Sequence, residues 1–238
     1  MKRPAVLTEF GWHELSVLLL LCIFAGATWA FIEIADEISE GGFRDIDTAI
    51  LLALRSPTNP ADPLGPRWFE ESVRDVTALG GTVVTLFITL AASGFLMLQG
   101  KRRAALFIVV AVASGAIVSA ALKSGFDRPR PDLVPHGSFV YSSSFPSGHA
   151  MTAGIVYMTL AAVLIRVQTR RRLRVYLASL AVVLTIVIGT SRVYLGVHWP
   201  SDVIGGWAAG AAWAVLWWTI ALWLQRRGDV EKGPDSDP

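Results

Sequence analysis

Three short clusters hold the residue types that could grip and transfer an anionic group. They are Lys123-Ser124-Gly125-Phe126-Asp127-Arg128-Pro129-Arg130-Pro131, Pro146-Ser147-Gly148-His149, and the run from Ser191 to Asp202. Lys123, Arg130 and Arg192 are cations that could converge on one anion, although cations at the ends of apolar segments also snorkel to lipid phosphates. A neutral imidazole at His149 or His198 can act as nucleophile or base, and an imidazolium as acid. Asp202 follows His198 by four residues, which puts both on one face of a helix, and Pro200 suits that helix's first turn. Asp202 could therefore hold the His198 ring and support its developing charge, raising its pKa, as the acid of a Ser-His-Asp triad does.

Ser147 and Gly148 add to the anion site because they open an apolar helix whose first N–H groups are unpaired. Glycine lets an oxyanion approach the backbone closely. The commoner role of a serine in this place is to cap the helix, and the two roles are compatible. The same helix end disfavours a cation at His149, so a bound dianion would be needed to keep that imidazole protonated. Two histidines and an aspartate could also ligate a metal, but the surrounding cations repel one and favour an anion. His13 and His136 lack such neighbours and read as an interfacial and a loop residue.

These clusters need elements to hold them, and the composition says which kind. Of 238 residues, 53% are hydrophobic and 17% charged, and the apolar residues come in blocks long enough for lipid. A membrane-crossing helix needs about 20 apolar residues. Six blocks qualify: Leu15 to Ile34, Leu79 to Leu98, Ala104 to Leu122, Ser147 to Ile165, Val175 to Thr190, and Val203 to Leu224. The first follows Lys2 and Arg3 and contains Ala25-Gly26-Ala27, like a signal peptide, but its apolar core exceeds the usual ~7–15 residues and it reads as an uncleaved span. Between the first two spans, Pro57, Pro60, Pro63 and Pro66 exclude a continuous helix. The flanking stretches Phe43 to Leu54 and Arg67 to Thr77 read as short interfacial helices. The expected protein is all-α, one six-span membrane domain over 1–227, with a disordered tail over 228–238.

The net charge of +2 gives no reason to expect nucleic acid as a partner. The single cysteine, Cys22, excludes an intrachain disulfide framework and a cysteine metal cluster, and reads as a small buried hydrophobe. Basic residues gather at Lys2-Arg3, Lys101-Arg102-Arg103, Arg166 to Arg174 and Arg226-Arg227, whereas Glu33, Asp36, Glu37, Glu40, Asp45 and Asp47 mark the other face. The positive-inside rule places both termini in the cytoplasm, and all three clusters at the outer ends of spans.

The clusters resemble the signature of the type 2 phosphatidic acid phosphatase family, K-x6-R-P, P-S-G-H and S-R-x5-H-x3-D, with every position filled in order. The resemblance covers the transmembrane region and is silent on Ala35 to Ala78. It implies a lipid phosphatase of the plasma (inner) membrane with its site on the periplasmic or extracellular face. His198 would be the nucleophile that forms a phosphohistidine, Asp202 its orienting acid, and His149 the acid for the leaving oxygen. Lys123, Arg130, Arg192, Ser147 and Gly148 would bind phosphate. It implies no cofactor and no metal. Lipid substrates in view are undecaprenyl diphosphate, phosphatidylglycerophosphate and phosphatidate. A phosphotransferase or lipid A phosphatase shares the same site, and a lipid transporter or scramblase is the rival of another class. The soluble vanadium haloperoxidases have a similar site but no spans. The sequence is silent on oligomeric state.

Overall fold

The computed structural model describes residues 12–132, 142–166 and 168–226. His136 and the tail over 228–238 lie outside them, and so does the expectation of disorder there. Helix α1 spans Trp12–Glu40, with His13 in its first turn, and α2 spans Arg44–Ala53. Strands β1 (Arg55–Ser56) and β2 (Asn59–Pro63) pair antiparallel. Then come α3 (Arg67–Ala78), α4 (Thr82–Leu98), α5 (Arg102–Ser124), α6 (Gly148–Arg166), α7 (Arg171–Tyr194) and α8 (Pro200–Arg226).

Five helices, α1, α5, α6, α7 and α8, are long and apolar enough to cross a membrane. A sixth candidate is composite: α3 and α4 meet at a bend of 51° and pass the same test only together. At about 1.5 Å per residue, the 17 residues of α4 reach only about 25 Å, short of a hydrocarbon core of about 30 Å. The expected second span from Leu79 thus starts in an elbow, Leu79-Gly80-Gly81, and α3 runs off it at an angle. Helices α2 and α3 fall where the sequence placed short helices. The hairpin between them was not expected. It is pinned to the end of α7, where Arg55 Nη2 donates to the Tyr194 carbonyl at 2.7 Å and the Tyr194 hydroxyl to Leu64 O at 2.8 Å.

Cys22 is exposed on α1, contrary to the expectation of burial. Lipid is the solvent here, so an apolar side chain meets no penalty facing outward.

Helix α6 is the most enclosed of the described spans, packed between α7 and α8 and touching α4 and α5. Its crossing with α8 is backbone on backbone. A Cβ placed on Gly154 would stand 3.3 Å from Gly210 Cα, and one on Gly206 would stand 2.7 Å from Ser147 O. Gly206 and Gly210 form a GxxxG pair, which suits lipid, where close packing rather than hydrophobicity joins helices. Indole donors stitch the remainder: Trp207 Nε1 to Thr185 O at 3.0 Å and Trp213 Nε1 to Ala111 O at 2.9 Å.

Candidate active site

The three clusters meet at one end of the bundle, where α5, α7 and the turns that open α6 and α8 come together. At the start of α6, Phe145 is fully buried, stacks on Phe31 with ring centroids 5.6 Å apart, and fills the notch left by Gly205. That plug fixes the strand of chain leading into Ser147. The Ser147 N–H donates to Asp202 O at 2.9 Å, so the opening turns of α6 and α8 are joined directly. Met151 N–H bonds back to Ser147 O at 3.0 Å; the earlier N–H groups of α6 have no intrahelical acceptor. The Ser147 hydroxyl is buried and has no partner, so it does not cap the helix as a serine in that place commonly does.

Gly148 carries Lys123 above it. A Cβ there would lie 3.2 Å from Lys123 Cε and 3.4 Å from Nζ. His149, half-buried one residue on, packs against the α3–α4 elbow; a Cβ on Gly80 would stand 3.3 Å from its Cβ and Cδ2.

The spacing from Arg192 to His198 has a local cause. Gly196, at φ +73°, ends α7 in a left-handed residue. Its N–H reaches Val193 O at 2.9 Å, and Val197 N–H reaches Arg192 O at 3.1 Å, a Schellman motif closed on the carbonyl of Arg192 itself. The turn then delivers His198 beside Arg192. Arg192 is 9% exposed; its Nη1 donates to Thr77 Oγ1 at 3.1 Å, and its buried Nε has no partner.

His198 is 2% exposed. Its Nδ1 lies 3.4 Å from Asp202 Oδ2, and its Nε2 lies 3.2 Å from Arg130 Nη1. A guanidinium only donates, so Nε2 must present its lone pair and Nδ1 must carry the proton. Burial, opposed by the bond to Asp202 and aided by Arg130 and Arg192, pushes the His198 pKa down to about 4. Asp202 raises it, as expected, but loss of water outweighs the carboxylate, and the ring stands neutral. Arg130 is held by Val197 O at 2.9 Å and Ser142 O at 3.2 Å.

Asp202 is fully buried and heavily used. Oδ2 accepts the Trp199 N–H at 2.9 Å, reaching back over the helix start as the third residue of a capping box does, and also accepts the Ser144 hydroxyl. Oδ1 accepts Arg128 Nη1 at 2.6 Å. Sequence reasoning missed Arg128, Ser144, Ser201, Thr77 and Asp47 as parts of this assembly. Only Arg128 left a signal, as the other arginine of Arg128-Pro129-Arg130-Pro131.

All eight residues singled out by sequence thus gather at one place. A half-open cluster of three cations, an unpartnered hydroxyl, a helix N-terminus and an imidazole lone pair is suited to holding a phosphoryl group. Residues 104–226 match the PAP2 superfamily, and the chain belongs to that superfamily. It is 32% identical over 148 residues to phosphatidylglycerophosphatase B of Bacillus subtilis, covering 60% of this chain and 70% of that protein. It is 32% identical to a lipid A 1-phosphatase of Rhizobium johnstonii, over 56% of this chain and 53% of that one, so the match spans about half of that relative. Among solved structures, a transmembrane PAP2-type phosphatidylglycerolphosphate phosphatase of Bacillus subtilis superposes with a TM-score of 0.75. The identity is 25%, over 85% of this chain and 98% of that one.

Proposed function

We propose that the protein is an integral membrane lipid phosphatase working through a phosphohistidine at His198. The observation that carries the chemistry is the contact of Arg130 with His198 Nε2, which aims a lone pair into the cation cluster. In this reading the phosphate sits under Lys123, Arg130 and Arg192, with the Ser147 hydroxyl and the Gly148 N–H on its remaining oxygens. His198 Nε2 attacks phosphorus as the bond to the lipid oxygen breaks. His149 gives its proton to that oxygen, and Asp202 stabilises the cationic phosphoimidazole through Nδ1–H. Water then attacks phosphorus, His149 takes its proton, and His198 leaves as neutral imidazole. The chain's own cations do the electrostatic work, so the reaction needs no metal.

A lipid is the favoured phosphate ester on two counts. The names of the relatives are those of lipid phosphatases, with phosphatidylglycerophosphate and lipid A as their substrates. An apolar groove of about 600 Å³, walled by α2, α3, α7 and α8, also backs onto the turns that carry Arg192 and Asp202. Phosphatidylglycerophosphate, phosphatidate and undecaprenyl diphosphate are the substrates to try. The clustering of Lys and Arg at the other end of the spans supports an outward-facing site in the plasma membrane, with both termini cytoplasmic.

The test is phosphate release from a panel of these lipids by the purified protein in detergent, with His198→Ala as control. Release from at least one lipid, surviving excess EDTA and inhibited by vanadate, is expected. No release from any of them, or loss with EDTA and rescue by a divalent ion, would overturn the reading.

A further inference from the structure

Asp47 is an aspartate on a surface helix, yet it is 1% exposed. It is buried because α2 lies over the catalytic end of the bundle, anchored by Leu51 in an apolar cluster with Ala150, Val193 and Val203. Its carboxylate is fully engaged. Oδ1 accepts the Ser201 N–H at 2.9 Å, and Oδ2 accepts Arg128 Nη2 at 2.7 Å and the Ser201 hydroxyl. Arg128 also donates through Nη1 to Asp202 Oδ1 at 2.6 Å and to Ser201 Oγ at 2.8 Å. One guanidinium therefore bridges two buried carboxylates, and the second of them holds His198. The far side of Arg128 is closed by the Trp199 ring, 5.9 Å from the guanidinium carbon, and Trp199 Nε1 ties the same segment through Pro129 O at 3.0 Å.

The charges explain why two carboxylates are needed. Were Arg128 paired with Asp202 alone, the pair would be neutral, and a cation forming on His198 would face no net countercharge. Asp47 takes up the Nη2 arm of the guanidinium, while Nη1 serves Asp202 and Ser201. The chain Asp47–Arg128–Asp202 then carries one net negative charge, aimed at the imidazole from a site from which water is excluded.

We propose that Asp47 and Arg128 are positioning residues for the phosphoryl transfer: Asp47 draws on Arg128 so that Asp202 remains an anion towards His198. The interfacial helix α2 is thereby part of the catalytic apparatus although it touches no substrate atom. This rests on reading His198 as the nucleophile, and it adds a distance-two partner to the pair that reading names.

The test compares Asp47→Asn, Arg128→Gln and the double variant in the purified full chain, by single-turnover phosphoenzyme formation and by vanadate inhibition. Asp47→Asn leaves Arg128 to Asp202 alone, and phosphorylation should slow on the order of tenfold. Vanadate affinity should stay within about twofold, because Lys123, Arg130 and Arg192 are untouched. The double variant removes the excess positive charge and should phosphorylate faster than Asp47→Asn. A merely structural role predicts the opposite order, with rate and vanadate affinity falling together. That result, or wild-type rates in Asp47→Asn, would overturn the proposal. If Asp47→Asn does not fold, Asp47→Glu and Arg128→Lys take its place. The glutamate should stay near wild type, whereas a lysine cannot bridge both carboxylates and should lose about tenfold; equal rates in the two would overturn the idea. His198→Ala is run alongside. Label persisting in His198→Ala sinks the nucleophile reading itself; label lost there with Asp47→Asn unaffected sinks only the positioning role.

Discussion

The end of the Lys123 side chain lies close over the backbone of Gly148: a Cβ there would stand 3.4 Å from Nζ and 3.2 Å from Cε, near enough to push the lysine aside. Two clusters distant in sequence thus share one close contact.

Gly148→Ala should therefore displace Lys123 while leaving the bundle intact. Vanadate affinity should fall about tenfold, the value of one charge-assisted bond. The melting temperature should hardly move, since the lysine chain can swing aside. Inhibition constants and thermal melting of the purified variant measure the two effects separately.

Buried His198, with its pKa held down to about 4, should still be neutral in the free enzyme at pH 5 to 6. The acid limb of a bell-shaped kcat/KM profile should lie below the ordinary histidine value of about 6.5. The same shift affects stability. The unfolded chain binds the proton more readily across the window between the two values, so the folded state should weaken as pH falls through it. Histidine-labelled protein followed by NMR, with His198→Ala to assign the resonance, gives the midpoint; a value at or above 6.5 contradicts the structure.

Rapid quench with radiolabelled substrate should trap an acid-labile, alkali-stable phosphoenzyme that is absent in His198→Ala. His149→Ala should slow both the appearance of the label and turnover, most severely for an alkyl monoester, whose leaving oxygen needs the proton. A diphosphate leaves more readily and should suffer less. Undiminished label in His198→Ala would place the nucleophile elsewhere.

Sidedness can be read by single-cysteine labelling in a Cys22→Ala background. A cysteine replacing Ser138 should react with an impermeant reagent from outside the cell, and one replacing Arg172 only after the membrane is opened. Reaction of position 138 from the cytoplasmic side alone would invert the orientation drawn from the Lys and Arg distribution.

Much of this was legible before any coordinates. Five of the six apolar blocks end within about four residues of the observed helices, and α1 runs six residues past the first block to Glu40, because lipid imposes a length as well as a composition. The eight candidate residues could be picked out because they fall in three short clusters that set polar or charged side chains beside a glycine or proline. What escaped was long-range. Asp47 looked like one of several outward acids, since nothing local to Phe43–Leu54 reveals that α2 folds back over Ser201. The hairpin was hidden by prolines that rule out helix without specifying what replaces it. How far His198 is pushed towards neutrality was not legible, because its partner Asp202 lies only four residues away whereas the burial that outweighs it comes from the whole assembly.

The crossing of α6 and α8 at Gly154 and Gly210 carries one more consequence. Where two helices touch through side chains, their separation can drift as rotamers exchange. Here the touching atoms are backbone, and backbone has no rotamer to change. The distance between the turn bearing Ser147 and the turn bearing Asp202 is thus gauged by rigid surfaces a few turns away. A bulkier residue at either glycine would act as a shim, prising nucleophile from anion site with no catalytic atom altered.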